Sequence, residues 1–151
     1  ATPTEAGAAK CDFDYYFKQI EFLKSQGYVV IATYQFQEID ERMYSGKYRD
    51  PFQEASMAGA DIVQGSQAHM AMGFELIGDS LIHYGLGNFL FDQDKEIYVQ
   101  ELIDRHIIYN GRYIGTELLT ARLMDASRPV PMDPAEREAF LAEIFQVSAM
   151  R

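Results

Sequence analysis

The sequence predicts an α/β fold built on a mixed sheet: parallel strands joined by βα units, then antiparallel hairpins and a C-terminal helix. Three observations carry this. The run YVVIATY (Tyr28 to Tyr34) is apolar without alternation, as a parallel strand covered on both faces is. Segments of helical period stand on either side of it. Further on, Asn110-Gly111 separates two strand-like runs, and this pair suits a two-residue hairpin turn.

Taken in order, residues 1–11 are small and polar and are expected to form a linker or a processed lead, with residues 12–151 forming the domain. Phe13, Tyr16, Phe17, Ile20 and Leu23 then recur at helical spacing, Asp12 is placed to cap the start, and Gly27 to end the helix. After YVVIATY, residues 35–46 have no period and read as a loop. Asp50-Pro51-Phe52-Gln53 reads as a capped helix start with Asp50 as N-cap, stopped by Gly59. DIVQ (residues 61–64) is a second strand buried on both faces, leading into the loop Gly65-Ser66-Gln67-Ala68-His69. FELIGDSLIHYG reads as a hairpin turning at Gly78-Asp79, and IDRHIIY and RYIGTELLTARL as antiparallel strands, with pairing continuing toward Ile107 and Ile114. Asp133 caps a last helix whose apolar face is Phe140, Leu141, Ile144 and Phe145.

The 151 residues suffice for one domain with a core. With 13 Lys+Arg against 23 Asp+Glu, the net charge of −10 leaves no basic stripe for phosphates, so no nucleic-acid partner is expected. The longest apolar run is far below the ~20 residues of a membrane helix, so no membrane span is expected. Cys11 cannot form an internal disulfide and reads as an ordinary buried or half-buried thiol. His83 and His106 fall mid-strand and read as structural, and Asp40-Glu41-Arg42 as a solvated loop face.

Three loops that follow apolar strands hold the chemistry: Gln35, Gln37 and Glu38; Ser66, Gln67 and His69; Asn88, Asp92, Gln93 and Asp94. Loops at the C-terminal ends of neighbouring parallel strands face one another across a cleft, which predicts Gln35 and Gln67 within about 10 Å of each other. One His, one Asn and several carboxylates there could hold a hard divalent ion, bind a polar substrate or transfer protons, and spacing alone does not choose.

The stretch GADIVQGSQAHMAMGFELIGDSLIHYGLGNFLFDQ resembles the C-terminal part of the bacterial poly-gamma-glutamate capsule-synthesis (CapA-type) family. That family shows a strand entering Gly-x-His-Pro-His, then a Glu, a hairpin and Tyr-Ser-Leu-Gly-Asn-Phe. Here the matching positions are Gly65–His69, Glu75, Gly78-Asp79 and Tyr84–Phe89, and the strand before Gln35 takes the place of one ending in His-Trp-Gly. The resemblance implies the C-terminal part of a calcineurin-like metallophosphoesterase αββα sandwich, exported to the cell surface. Its partners would be the N-terminal half of the domain, or a partner chain covering an apolar sheet face, and an anionic surface polymer.

Relatives of this fold hold two metals on His, Asp and Asn side chains and generate hydroxide from bound water. Gln67 and Gln35 stand where the family has His, and an amide oxygen is a poor transition-ion ligand, though it serves hard ions. The resemblance thus implies a divalent ion (Mg²⁺, Mn²⁺ or Ca²⁺) bound weakly or not at all by this chain alone, through His69, Gln67 and Gln35. It assigns His69, Glu38 and Asn88 to catalysis, and Glu75, Ser66 and Asp92 to substrate. Three roles follow: a CapA-like protein for synthesis, anchoring or trimming of the polymer, with metal-assisted amide or phosphoester chemistry if it is an enzyme; a binding module that has lost the metal centre; or a structural subunit of an envelope assembly.

Overall fold

A computed structural model describes residues 4–7 and 11–150, with the side chains of Ala149 and Met150 not described. Part of the expected lead, residues 1–3 and 8–10, lies outside the described residues, as does Arg151. The elements run α1 (Phe13–Ser25), β1 (Ile31–Gln35), a 3-10 turn (Gly46–Tyr48), α2 (Asp50–Met57), β2 (Ile62–Ser66), β3 (Phe74–Ile77), β4 (Ser80–His83), α3 (Glu96–Val99), β5 (Gln100–Tyr109), β6 (Arg112–Met124), β7 (Arg128–Pro131), α4 (Pro134–Val147) and β8 (Ala149–Met150). Five strands form one mixed sheet in the order β1-β2-β4-β3-β8, and three form an antiparallel sheet β5-β6-β7. The α/β class with both strand senses is as the sequence predicts.

β1–α2–β2 is the expected parallel crossover unit, with Gln35 opposite Ser66, and β2 also runs parallel to β4. α1 and α2 cover one face of this sheet: Ile20, Phe52 and Ala55 pack on Ala32, Tyr34, Val63 and Ile82. Against the other face, Phe74 and Leu81 meet Leu102 of the second sheet and Phe140 and Ile144 of α4. The two layers are bolted together by His83. Its Nε2 lies 3.2 Å from the Met72 carbonyl and its Nδ1 2.7 Å from Asp104 Oδ2 on β5. The structural reading of His83 holds, and His106 likewise bonds the Thr116 hydroxyl across its own sheet.

Several local expectations are met. Asp12 accepts from the Tyr15 amide and Asp133 from the Glu136 amide, so both cap their helices. Gly78 takes a positive φ in the two-residue turn between β3 and β4. Asn110 and Gly111 both have φ above zero, and Tyr109 pairs Arg112 directly across the turn.

Other expectations are corrected. β1 is not buried on both faces: Ala32 and Tyr34 are buried, whereas Ile31, Thr33 and Gln35 are exposed, because β1 is the sheet's edge and the second layer packs over β3 and β4. β2 does have apolar residues buried on both sides, Ile62 and Val63. Arg49, not Asp50, occupies the N-cap of α2 without a side-chain cap, and Gln53 turns away from the helix start to bond Glu75. Pairing beyond Asn110-Gly111 does continue past Ile107 and Ile114, to Gln100 opposite Arg122, but the register shifts at Ile107, which faces Gly115 and leaves Ile114 as a bulge. Arg42 is no solvated loop residue. Its guanidinium bonds the Ala71 carbonyl, Gln100 and Glu143 and lies over the Phe140 ring, pinning the 36–45 loop to the core. Cys11 is exposed instead of buried. α3, β7 and β8 have no counterpart in the sequence reading.

Candidate functional site

Gly65 sets the floor of the site. A Cβ there would stand 2.0 Å from the Tyr84 carbonyl oxygen, so only glycine lets β2 lie this close to the chain leaving β4. Beyond it the loop turns sharply at Gln67, whose φ of 84° is a left-handed conformation strained for a residue with a side chain. Gln35 Nε2 donates to Gln67 Oε1 at 2.7 Å, so the two glutamines sit side by side at the C-terminal ends of neighbouring parallel strands, as predicted. Ser66 lies next to them with its hydroxyl donating to the Tyr34 carbonyl.

A second group centres on His69. Its Nδ1 lies 2.8 Å from Asn88 Oδ1, and its Nε2 lies 3.2 Å from Glu38 Oε1. Asn88 is buried, and its Nδ2 donates to Gln93 Oε1 and, at 3.4 Å, to the Tyr98 carbonyl. That carbonyl can only accept, so the amide nitrogen must face it and the amide oxygen must face His69. Nδ1 therefore carries a proton, and Nε2 is the nitrogen left to exchange a proton with, or offer a lone pair to, whatever lies beside Glu38. Phe91 packs on the imidazole with ring centroids 4.8 Å apart. Tyr98 completes the wall, its hydroxyl donating to Asp40 Oδ1 at 2.7 Å. That bond, with burial, holds the phenol above its usual range.

His69, Glu38 and Asn88 are thus gathered into one network, and Gln35, Gln67 and Ser66 into an adjoining row. Asp92 is exposed on the 89–95 loop, outside the hydrogen-bonded network. Glu75 is not available to a substrate: it is fully buried on the helix-facing side of β3, ion-paired with Arg49 and bonded by Gln53. Sequence reasoning missed Tyr98, which touches the site only because α3 brings it back against Asn88, and Asp40, which it placed on a solvated face. No local pattern marks either.

Among the described residues no three His, Cys, Asp or Glu side chains converge as a metal-binding group. The one hydrogen bond between the two glutamine amides occupies the Gln67 oxygen, and His69 with Glu38 offers at most two ligands. These residues alone do not fit a two-metal centre.

Residues 1–93 match the family described as bacterial capsule synthesis protein PGA_cap. The capsule biosynthesis protein CapA of Bacillus anthracis is 31% identical over 125 residues, which cover 76% of this chain and 29% of that protein. The PGA biosynthesis protein CapA of Bacillus subtilis (strain 168) is 31% identical over 127 residues, covering 82% and 33%. The chain spans about a third of the length of these curated relatives.

Proposed function

Since the chain belongs to the bacterial capsule synthesis (PGA_cap) family, we propose that it serves the synthesis or anchoring of an anionic capsule-type polymer at the cell surface, with the cleft around His69 as its polymer-contacting site. The αββα arrangement of the calcineurin-like fold is the finer form of this reading. The layering of α1 and α2, the mixed sheet and the antiparallel sheet supports it. The observation that carries the functional part is the convergence of His69, Asn88 and Glu38 beside the Gln35–Gln67 row, where the strand ends open. Amide and hydroxyl groups in such a row suit the repeated amides and carboxylates of a polymer backbone. His69, oriented by Asn88, supplies a nitrogen able to move a proton.

Two observations favour the binding form of this role over metal-assisted cleavage by this chain alone: the mutual hydrogen bond of Gln35 and Gln67, and the lack of a third convergent ligand among the described residues. Remaining ligands, and cover for the exposed face of β1, would come from the part of the protein outside this chain.

The test is complementation. Cells lacking their own copy receive the full-length protein as wild type, His69→Ala or Asn88→Ala, and surface polymer is quantified alongside the protein. A fall of about tenfold in polymer at equal protein level is expected for both variants, the scale of losing a positioned proton-transfer or hydrogen-bonding group. Unchanged polymer in both would remove the cleft from the function. Metal analysis of the same full-length protein separates the two forms, because a stoichiometric ion lost in His69→Ala supports the catalytic one.

A further inference from the structure

Tyr98, on α3, touches each of the three loops that make the His69 cleft. Its hydroxyl donates to Asp40 Oδ1 at 2.7 Å on the 36–45 loop, and its carbonyl accepts from Asn88 Nδ2 at 3.4 Å on the segment between β4 and α3. Its ring meets the His69 imidazole nearly edge-on, with centroids 6.5 Å apart. Tyr98 is only 7% exposed, so packing holds the ring in place. α3 is in turn tied to the second sheet, because Glu96 accepts from both terminal nitrogens of Arg122 on β6, at 2.6 and 2.9 Å, a two-pronged bond that fixes direction as well as distance.

The two polar ends of this residue serve different partners. The carbonyl serves Asn88, which orients His69 through Nδ1. The hydroxyl serves Asp40, two positions after Glu38, whose Oε1 stands 3.2 Å from His69 Nε2. Glu38 is exposed, so its place beside the imidazole follows from where its stretch of backbone is held. On one side the Tyr44 hydroxyl holds the Gln37 carbonyl; on the other Ile39 packs partly on the core and Asp40 is the polar tether. The Asp40 bond first, then burial and the charges of Asp40 and Glu38, keep the phenol above its usual range, so the hydroxyl remains a donor at neutral pH.

We propose that the Tyr98 hydroxyl is a positioning group for the cleft: through Asp40 it sets the stretch that carries Glu38 against His69 Nε2, while the Tyr98 carbonyl, through Asn88, sets Nδ1. One buried residue thereby governs the surroundings of both nitrogens of one imidazole. The consequence for polymer rests on the polymer-contacting reading of this cleft; the positioning itself is read separately.

The experiment is Tyr98→Phe, which removes one oxygen and leaves the ring, the carbonyl and the packing. Asp40 is exposed, so water replaces the lost donor and the Tm should stay near that of the wild type. In full-length protein labelled with [15N]histidine, at one fixed pH and with His69 assigned through His69→Ala, the Nε2 resonance is expected to move in Tyr98→Phe in the same direction as in Glu38→Gln, with Nδ1 remaining a protonated nitrogen. Asp40→Ala breaks the same bond from its other end and should reproduce the shift. In the complementation assay, polymer is expected to fall about fivefold in Tyr98→Phe, the scale of one net hydrogen bond, and no further when Tyr98→Phe is added to Glu38→Gln. An Nε2 resonance that moves in Glu38→Gln but in neither Tyr98→Phe nor Asp40→Ala overturns the assignment, as does one that ignores Glu38→Gln. Polymer undiminished by Tyr98→Phe where Glu38→Gln lowers it, or losses that simply multiply in the double variant, overturn it as well. If Nε2 responds as expected while His69→Ala leaves polymer unchanged, the polymer reading fails and the positioning role stands.

Discussion

Glu101 on β5, buried and with no hydrogen-bond partner for either oxygen among the described residues, sets a measurable dependence of stability on pH. In the unfolded chain its carboxyl titrates as an ordinary glutamate, near 4.5, and in the folded protein desolvation moves it to about 7. The native state therefore holds the proton more tightly. Stability from this group is fully present below about pH 4.5 and is lost as the pH rises through 7. At about 1.36 kcal/mol per pH unit the full separation corresponds to roughly 3 kcal/mol above pH 8, an upper bound because the surroundings relax around a newly charged carboxylate. We expect about 1–2 kcal/mol. Replacing Glu101 by Gln removes the titration and adds a buried amide whose cost does not vary with pH, so the informative quantity is a difference. Urea unfolding of wild type and Glu101→Gln at pH 5 and pH 8.5 should show the variant gaining about 1–2 kcal/mol on the wild type between the two values. All other titrating groups cancel. A stability difference that is the same at both pH values would refute the argument that this carboxylate is desolvated and unpartnered.

Four other outcomes are expected. His83→Ala leaves Asp104 buried without its partner and should cost about 3–5 kcal/mol in urea unfolding, whereas a loss below about 1 kcal/mol would mean that the two sheets do not depend on the bridge. Gly65→Ala drives a methyl into the Tyr84 carbonyl, and soluble, cooperatively melting protein at the wild-type Tm would contradict the close approach of β2 and β4. Arg42→Ala should cost about 2 kcal/mol and speed proteolysis within residues 36–45, read by mass spectrometry of a timed digest. Titration with Mn²⁺ or Zn²⁺ should show no micromolar site on this chain, and tight binding abolished by His69→Ala would reverse that expectation.

What could be read in the sequence follows from range. Asp12 and Asp133 cap amides three residues away, Asn110-Gly111 makes its turn within four residues, and Gln35 and Gln67 are brought together by two parallel strands each recognisable by itself. β1 shows the limit: an apolar run reports hydrophobicity, but whether both faces are covered depends on where the second layer lands. β7 was hidden because Pro129 and Pro131 argue against a strand, and the structure admits them only at the sheet's edge. Glu75 looked functional from its neighbours in sequence and proved to be held by Arg49, 26 positions earlier in the chain. Arg42, Tyr98 and Glu101 owe their settings to segments distant in sequence, which no local period encodes.

The His83 bridge has a consequence for how the cleft can respond to a ligand. His83 bonds the Met72 carbonyl, the Met72 amide bonds the Gly85 carbonyl, Ala71 bridges Leu86, and Arg42 grips the Ala71 carbonyl. Ala71 and Met72, just after His69, are thereby held by β4, by the chain leaving it and by Arg42. Phe89, Leu90 and Phe91 opposite them are all exposed. Glu38 is also exposed, with its Oε1 3.2 Å from the imidazole Nε2. His69 therefore lies just before a fixed segment, whereas the Phe89–Phe91 run and the Glu38 side chain beside it lie open to solvent. Accommodation of chains of different length or charge spacing would then be recorded in the positions of Phe91 and Glu38, with the histidine unmoved.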